Sequence, residues 1–501
     1  MSDKSVIIIG AGLAGLAAGC YARMNGYGAH ILEHHRVPGG VAASWRKNSF
    51  LFDGGVHFLM GTKPGGAEAR LLEELGLDLK DKVVPMRAYG RYIDENKGRR
   101  VDLTQDLEKF GLELKAYSGE DAVLIDGLIA AARRLEGQGL GPIGLDRPPE
   151  LAGIGDKLRD KWSSPRAFRV IKGKYAESVD EFGKDIRDPW LRALLMNLFS
   201  PSVPVWHLAM LMAMLAGGEL GYLESGCQDL VGSLADRFAA LGGEATYGAT
   251  VAEILVEDGR AAGVRLEDGR VFKAGAVISA ADGRETVFGL LGGRYADKRM
   301  QKRFSARRLA PSSLTVTLGV GKEFPEEVPF TTVQLMHPIS AAGRKFGGML
   351  IRFFNYSPKF APPGKSVVQV EIEESNFEYW RELHDRERGL YDAEKQRLAV
   401  EVVARLDKLY PGLSAKVEVA EVATPYTIWR YTRNHQGAHL AWLPTPEFYK
   451  TSIPRTLPGL GRFCMAGQWT MGGGVLPVLC SGRHAVQILC RQDGLGFQPG
   501  D

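Results

Sequence analysis

Cysteine is scarce and scattered. The chain has five, Cys20, Cys227, Cys464, Cys480 and Cys490, an odd number with no C-x-x-C pair. That spacing argues against a disulfide framework, a structural zinc or a dithiol redox centre, so no metal site is expected. Long apolar runs are missing too. Residues 193–218 lack Asp, Glu, Lys and Arg, but Pro201 and Pro204 split them into two short apolar helices. A spanning helix wants about 20 continuous apolar residues. The segment therefore reads first as buried core, and after that as an apolar tunnel or a membrane-dipping surface. An excess of one charge is also lacking, with 63 Lys and Arg against 59 Asp and Glu for a net +4. Basic residues cluster only briefly, at 298–303 and 307–308, with no stripe interleaved with aromatics, so no nucleic-acid partner is expected. No basic leader with a cleavage site precedes the first apolar run. The expectation is a cytoplasmic protein, or one peripheral to the inner face of a membrane. At 501 residues, 45% of them hydrophobic, the chain is too long for one simple core.

What the chain does have begins at its N-terminus. "SVIIIGAGLAGLAAGCYARMNGYGAHILEHH" reads as strand, turn, helix, strand. Residues 6–9 form a continuous apolar run, as a strand buried on both faces should. Gly10, Gly12 and Gly15 complete G-x-G-x-x-G, and a helix is predicted over Leu13–Met24. Gly10 permits the tight turn, Gly12 lets backbone amides approach a pyrophosphate, and Gly15 lets helix pack on strand. Glu33 closes the second strand about 20 residues on, where a carboxylate accepts from ribose hydroxyls. "GLGPIG", residues 139–144, matches the same expression but contains Pro142 and runs into "LDRPPE", so it reads as a loop.

After Glu33 come Arg36, the pair Gly39 and Gly40, and Ser44. This R-x-x-G-G-x-x-x-S pattern resembles the glutathione-reductase-type FAD fold, in the branch shared by amine oxidases and phytoene desaturases. Two distant segments agree. Residues 242–286 alternate apolar and polar, with DG turns at Asp258-Gly259 and Asp268-Gly269, and read as an antiparallel ribbon returning to a buried strand at Ala276–Ser279. Near the C-terminus a strand at 463–466, a glycine-rich turn at 472–474 and a helix through 481–489 place amides at a helix start.

The whole chain resembles the phytoene desaturase and carotenoid isomerase family of flavoproteins. "FDGGVHF" (52–58) looks most like its retinol saturase-like branch, which carries Phe-Asp-x-Gly-Ile-His-Tyr. The likeness is good at both ends and over 221–286, and poor across 62–220 and 290–420. It implies an α/β fold, with a glutathione-reductase-type FAD-binding Rossmann domain (1–70, 221–300 and 455–501) interleaved with an α+β substrate-binding domain (71–220 and 301–454) that holds an apolar tunnel. It implies FAD, held beyond the residues above by Leu13, Ala14, His34, Gly55, Val56, His57, Val251, Ala280, Gly467, Gln468, Gly474 and Val475. Gln468 stands where the family usually has an acid, which puts a charged ribityl contact in doubt.

The implied reaction is hydride transfer between flavin and a carbon of an apolar polyene or isoprenoid, with a proton exchanged at the neighbouring carbon. Saturation, desaturation and isomerisation all remain open, as does the oligomeric state. With no second dinucleotide fingerprint, a quinone or other diffusible molecule is the expected electron partner. His57 and Tyr431 are the candidates for the proton. His435 and His439 read as exposed loop histidines, Asp229 as a residue capping a helix start, and Trp469 equally as a flavin neighbour or core. Two rivals stand beside this reading. A flavin amine oxidase would want an aromatic pair, for which Trp429 and Trp469 are the candidates. A non-enzymatic prenyl- or lipid-binding relative would do without the C-terminal glycine turn.

Overall fold

The computed structural model describes residues 4–63, 65–78, 81–137, 147–153, 165–198, 200–451 and 453–500. The 139–144 loop lies outside the described residues. Two sheets organise the rest. The first is parallel and five-stranded, in the order Glu244–Tyr247, Gly28–Glu33, Ser5–Ile9, Ala276–Ser279, Phe463–Met465. Its central strands are buried on both faces, which explains their unbroken runs of Val and Ile. One face packs Val6, Ile8 and Ile31 against the helices Leu13–Met24, Cys227–Ala240 and Val475–Gln492. Ile7, Ile9, Leu32 and Val277 face the other way, onto the predicted antiparallel ribbon, here Val251–Glu257, Arg260–Leu266 and Val271–Lys273.

The second sheet is mixed and seven-stranded, in the order Val417–Ala423, Ser313–Val320, Ser366–Glu373, Arg344–Phe353, Phe330–Ala341, Ala88–Asp94, Arg99–Thr104. Every pairing is antiparallel except that of Phe330–Ala341 with Ala88–Asp94. The period-two alternation of Ser366–Glu373 decides which side chains face where. Val368, Val370 and Ile372 join the core beneath the helices Phe377–Arg386 and Arg388–Leu409. Val367 turns to the opposite face, where it meets Phe50 and Phe52 of the strand Phe50–Asp53. Gln369 and Glu371 share that opposite face. The two apolar helices expected around the prolines are Pro189–Leu198 and Val205–Ala216, both packed into the main core. Among the described residues no helix is long and apolar enough to cross a membrane.

Candidate functional site

The glycine turn has the geometry its spacing demands. Gly10 has φ +97°, a conformation side chains resist. A Cβ on Gly15 would lie 1.9 Å from the Gly10 carbonyl oxygen, so helix and turn meet there only because that position is glycine. The Leu13–Met24 helix starts at Gly12 without a side-chain cap, leaving its first amides for an anion. Glu33 accepts from the Ala11 N–H (2.6 Å) and the His35 N–H (2.7 Å). A carboxylate has about four acceptor positions, so lone pairs remain for a diol. Val251 opens the ribbon just beyond Ala249, whose N–H donates to the Glu33 carbonyl (2.8 Å). His34 is engaged at both ring nitrogens, with Thr250 Oγ1 at 2.7 Å from Nδ1 and Arg433 Nε donating to Nε2 at 3.2 Å. Arg36 is exposed.

The second glycine pair docks on the first turn. The Gly39 N–H donates to the Ala11 carbonyl (2.9 Å), Gly12 and Gly39 form an isolated parallel bridge, and a Cβ on Gly40 would sit 3.4 Å from Gly12 Cα. At the far side Gly467 (φ +95°) lies against Ala14 and the Ala280 carbonyl, and its N–H donates to Ser481 Oγ at 2.6 Å. The Val475–Gln492 helix, with Gln468 in the short turn before it, starts from Gly474 (φ +115°) without a side-chain cap. Gly482 brings this helix onto the first one, where a Cβ would stand 2.5 Å from the Ala14 carbonyl. Two uncapped helix starts, a carboxylate at the second strand end and backbone unobstructed by side chains fit a dinucleotide with two phosphates.

Residues 53–57 link this cradle to the seven-stranded sheet. A Cβ on Gly55 would fall 2.4 Å from the Val41 carbonyl, so the stretch lies directly on the loop that follows Gly40. Asp53 is buried, and its Oδ2 accepts from the Cys227 N–H (3.1 Å) at the start of the Cys227–Ala240 helix. Gly226 before that helix has φ +65° and carries no capping side chain, so Asp53 supplies the negative charge the helix start favours. This corrects the expectation for Asp229, which lies in the first turn but does not cap. Burial pushes the Asp53 carboxyl up, while Arg352 and its amide donors pull it back. Ser44 is spent on the same junction, accepting from the Gln228 N–H (3.1 Å). The Val56 N–H donates to Cys227 Sγ (3.2 Å).

His57 meets the sheet face. Its Nε2 lies 3.1 Å from Glu371 Oε1, its ring leans on Phe330 with centroids 5.5 Å apart, and its side chain keeps 37% of its surface accessible. Arg352, 2% exposed, is the organising cation. Its Nη1 donates to Gln369 Oε1 (2.8 Å) and Glu371 Oε1 (3.3 Å), and its Nη2 donates to the Val56 carbonyl (3.3 Å). Its guanidinium lies over the rings of Phe354 and Phe330, 4.8 and 5.5 Å from the centroids. Gln369 in turn donates to the Asp53 carbonyl (3.2 Å) and Thr317 Oγ1 (2.9 Å). Burial opposes ionisation of Glu371, but the His57 ring, its hydrogen bond and the Arg352 guanidinium overcome it and hold the carboxyl below the ordinary range.

Arg352, Gln369 and Glu371 carry no local motif and were missed by sequence reasoning. The available signal was the pair of polar residues at alternate positions of "VVQVEIE", where an apolar strand should show none on a buried face.

His439 overturns its reading as an exposed loop residue. Its Nε2 pairs with Ser313 Oγ at 2.7 Å, and burial lowers its pKa despite the charge of Glu371 nearby. His435 is half-buried, and its N–H donates to Asp282 Oδ2 at 2.7 Å. Tyr431 is 46% exposed, and its ring meets His35 (5.2 Å), two residues beyond Glu33, and Arg430, with no contact to His57 among the described residues. A role beside His57 is therefore not supported by where Tyr431 lies. Trp469 packs against Trp442 and Phe304, with centroids at 4.8 and 6.1 Å, in the core behind the parallel sheet. Trp429 belongs to a separate core with Phe377 and Tyr426. The two tryptophans do not form a pair.

Residues 13–490 match the model of the flavin containing amine oxidoreductases, and the chain belongs to that family. It is similar to the chloroplastic prolycopene isomerase of Arabidopsis thaliana, 25% identical over 515 residues that take in 98% of this chain and 83% of the relative. It is also 25% identical to the lycopene-forming phytoene desaturase of Paracoccus sp. over 512 residues, 97% of either chain. Its fold matches that of cyclohexylamine oxidase from Brevibacterium oxydans IH-35A, with a TM-score of 0.59 at 15% identity over 98% of this chain and all of that one. The protein is thus an oxidoreductase of a flavin-containing family. Its α/β architecture is the expected one, a Rossmann-like parallel sheet joined to a mixed substrate-binding sheet.

Proposed function

We propose that the chain is an FAD-dependent oxidoreductase acting on carbon–carbon bonds of an apolar polyene or isoprenoid, as a saturase, desaturase or isomerase. The observation that carries the reading is the near full-length likeness to enzymes named for prolycopene and phytoene, which extends through the sheet that faces His57. FAD, when bound by the two glycine turns, Glu33 and the two helix starts, supplies hydride chemistry. The protein's own residues supply position and a proton. Phe330, Tyr222 and Tyr356 form an aromatic wall near His57, with Tyr222 and Tyr356 stacked at 4.4 Å. His57, ring accessible and one nitrogen engaged by Glu371, gives or takes the proton at the carbon next to the one that exchanges hydride.

The separation of Trp429 from Trp469 favours this reading over an amine substrate. A diffusible acceptor or donor such as a quinone completes the cycle, and a membrane surface is the natural source of so apolar a substrate. The test is anaerobic. Flavin-reduced and flavin-oxidised protein are each mixed with prolycopene, phytoene, all-trans-retinol and a panel of primary amines, and the flavin redox state and the products are followed by absorbance and mass. Turnover or isomerisation of a polyene is expected; oxidised protein that is reduced by amines and by no polyene would overturn the reading. His57→Phe is expected to keep flavin and fold while losing at least about 100-fold in kcat.

A further inference from the structure

We propose that Glu371 is a positioning residue for His57, and that Arg352 clamps the pair by holding Glu371 and the Val56 carbonyl at once. The inference rests on His57 as the proton carrier, and goes beyond it by assigning which nitrogen does the work. Arg352 reaches the Val56 carbonyl (3.3 Å), one residue before His57, and Glu371 Oε1 (3.3 Å), the atom His57 Nε2 meets at 3.1 Å. One buried guanidinium thus sets both ends of the contact. Gln369 closes the frame by accepting from Arg352 and donating to the Asp53 carbonyl. The Phe330 ring, against both His57 and Arg352, limits the tilt of the imidazole.

The chemistry then follows from acceptor counting. An ionised carboxylate only accepts, so His57 Nε2 must carry the hydrogen. Neutral His57 has its lone pair on Nδ1, which has no hydrogen-bond partner among the described residues. Nδ1 is therefore the atom that exchanges a proton with substrate, as a base when neutral and as an acid when protonated. This is the familiar logic of an orienting carboxylate behind a histidine, here assembled from two sheet strands.

The experiment is 15N NMR of the full-length, FAD-loaded protein labelled at histidine, with the His57 signals assigned by loss in His57→Phe. At pH 8 the wild-type ring is expected as the Nε2–H tautomer; an Nδ1–H tautomer would overturn the proposal without any variant at Glu371. Glu371→Met, which removes the acceptor, is expected to give a mixture of tautomers, and Glu371→Gln, which keeps an acceptor oxygen, to restore Nε2–H. With the polyene that turns over, Glu371→Met is expected to lower kcat at least about 30-fold with KM changed less than about threefold. An unchanged tautomer in Glu371→Met overturns the positioning role. Failure of every polyene to react would instead overturn the functional reading, and the NMR result would still decide the role of Glu371.

Discussion

The turn from Gly10 to Gly15 and the junction around Arg352 are both tightly determined, by different means. The first is built of backbone. Its amides belong to residues within one strand–helix unit, and its glycines serve by having no side chain. The second is built of side chains from three strands, with Arg352, Gln369, Glu371 and Thr317 meeting a stretch about 300 positions away in the chain. A backbone site tolerates almost any sequence that keeps its glycines. A side-chain site fails if one member is lost, because its neighbours are left buried and unpaired.

Breaking the backbone site should have the largest effect. Gly15→Val puts a side chain where a Cβ already stands 1.9 Å from the Gly10 carbonyl oxygen. Flavin affinity is expected to fall at least about 100-fold, read by flavin absorbance during titration of the purified protein, since overpacking here displaces the turn itself. Full flavin occupancy in this variant would mean that the cofactor is held elsewhere. The side-chain site should break differently. Arg352→Leu strands the Glu371 carboxylate and the Val56 carbonyl and is expected to cost about 3 kcal/mol in urea unfolding, with flavin affinity kept within about threefold. Arg352→Lys should recover only part of the loss, because a single ammonium cannot span both acceptors. If Arg352→Leu lost flavin as completely as Gly15→Val, the two regions would have to be treated as one.

The last effect comes from pH, which acts on side chains and leaves amides unchanged. His207, near Trp206 and 3.1 Å from Tyr449 Oη, has its pKa lowered to about 4 by burial. A depressed histidine contributes stability that is complete above the unfolded value of 6.5 and is lost as pH falls toward 4. Thermal midpoints of His207→Phe should therefore decline less than wild type between those limits, with the two curves parallel above pH 7. Curves parallel throughout would remove His207 from the account of acid sensitivity.

Most of the parallel-sheet half of the fold was legible because its signals are local. The Leu13–Met24 helix, the Ala276–Ser279 strand and the ribbon between its DG turns follow from periodicity and turn chemistry over windows of ten to twenty residues. His57 was visible as an oddity, a histidine in an apolar run, without a partner to explain it. His439 was misread because a loop histidine is ordinarily solvated. Only packing shows that this one pairs with Ser313 beside Glu371.

By itself, then, the sequence determined the Gly10–Gly15 turn, the acid at Glu33, the strand–helix alternation that makes the sheet parallel, and His57 as the residue to question. The tertiary structure alone decided what answers it. Asp53 capping a helix at Cys227, Arg352 joining Val56 to Glu371, and Trp469 turning into core are contacts between residues far apart in the chain. Periodicity reports which face of a strand is buried. It carries no information about which buried face will lie opposite, and the partner of His57 is set by that pairing.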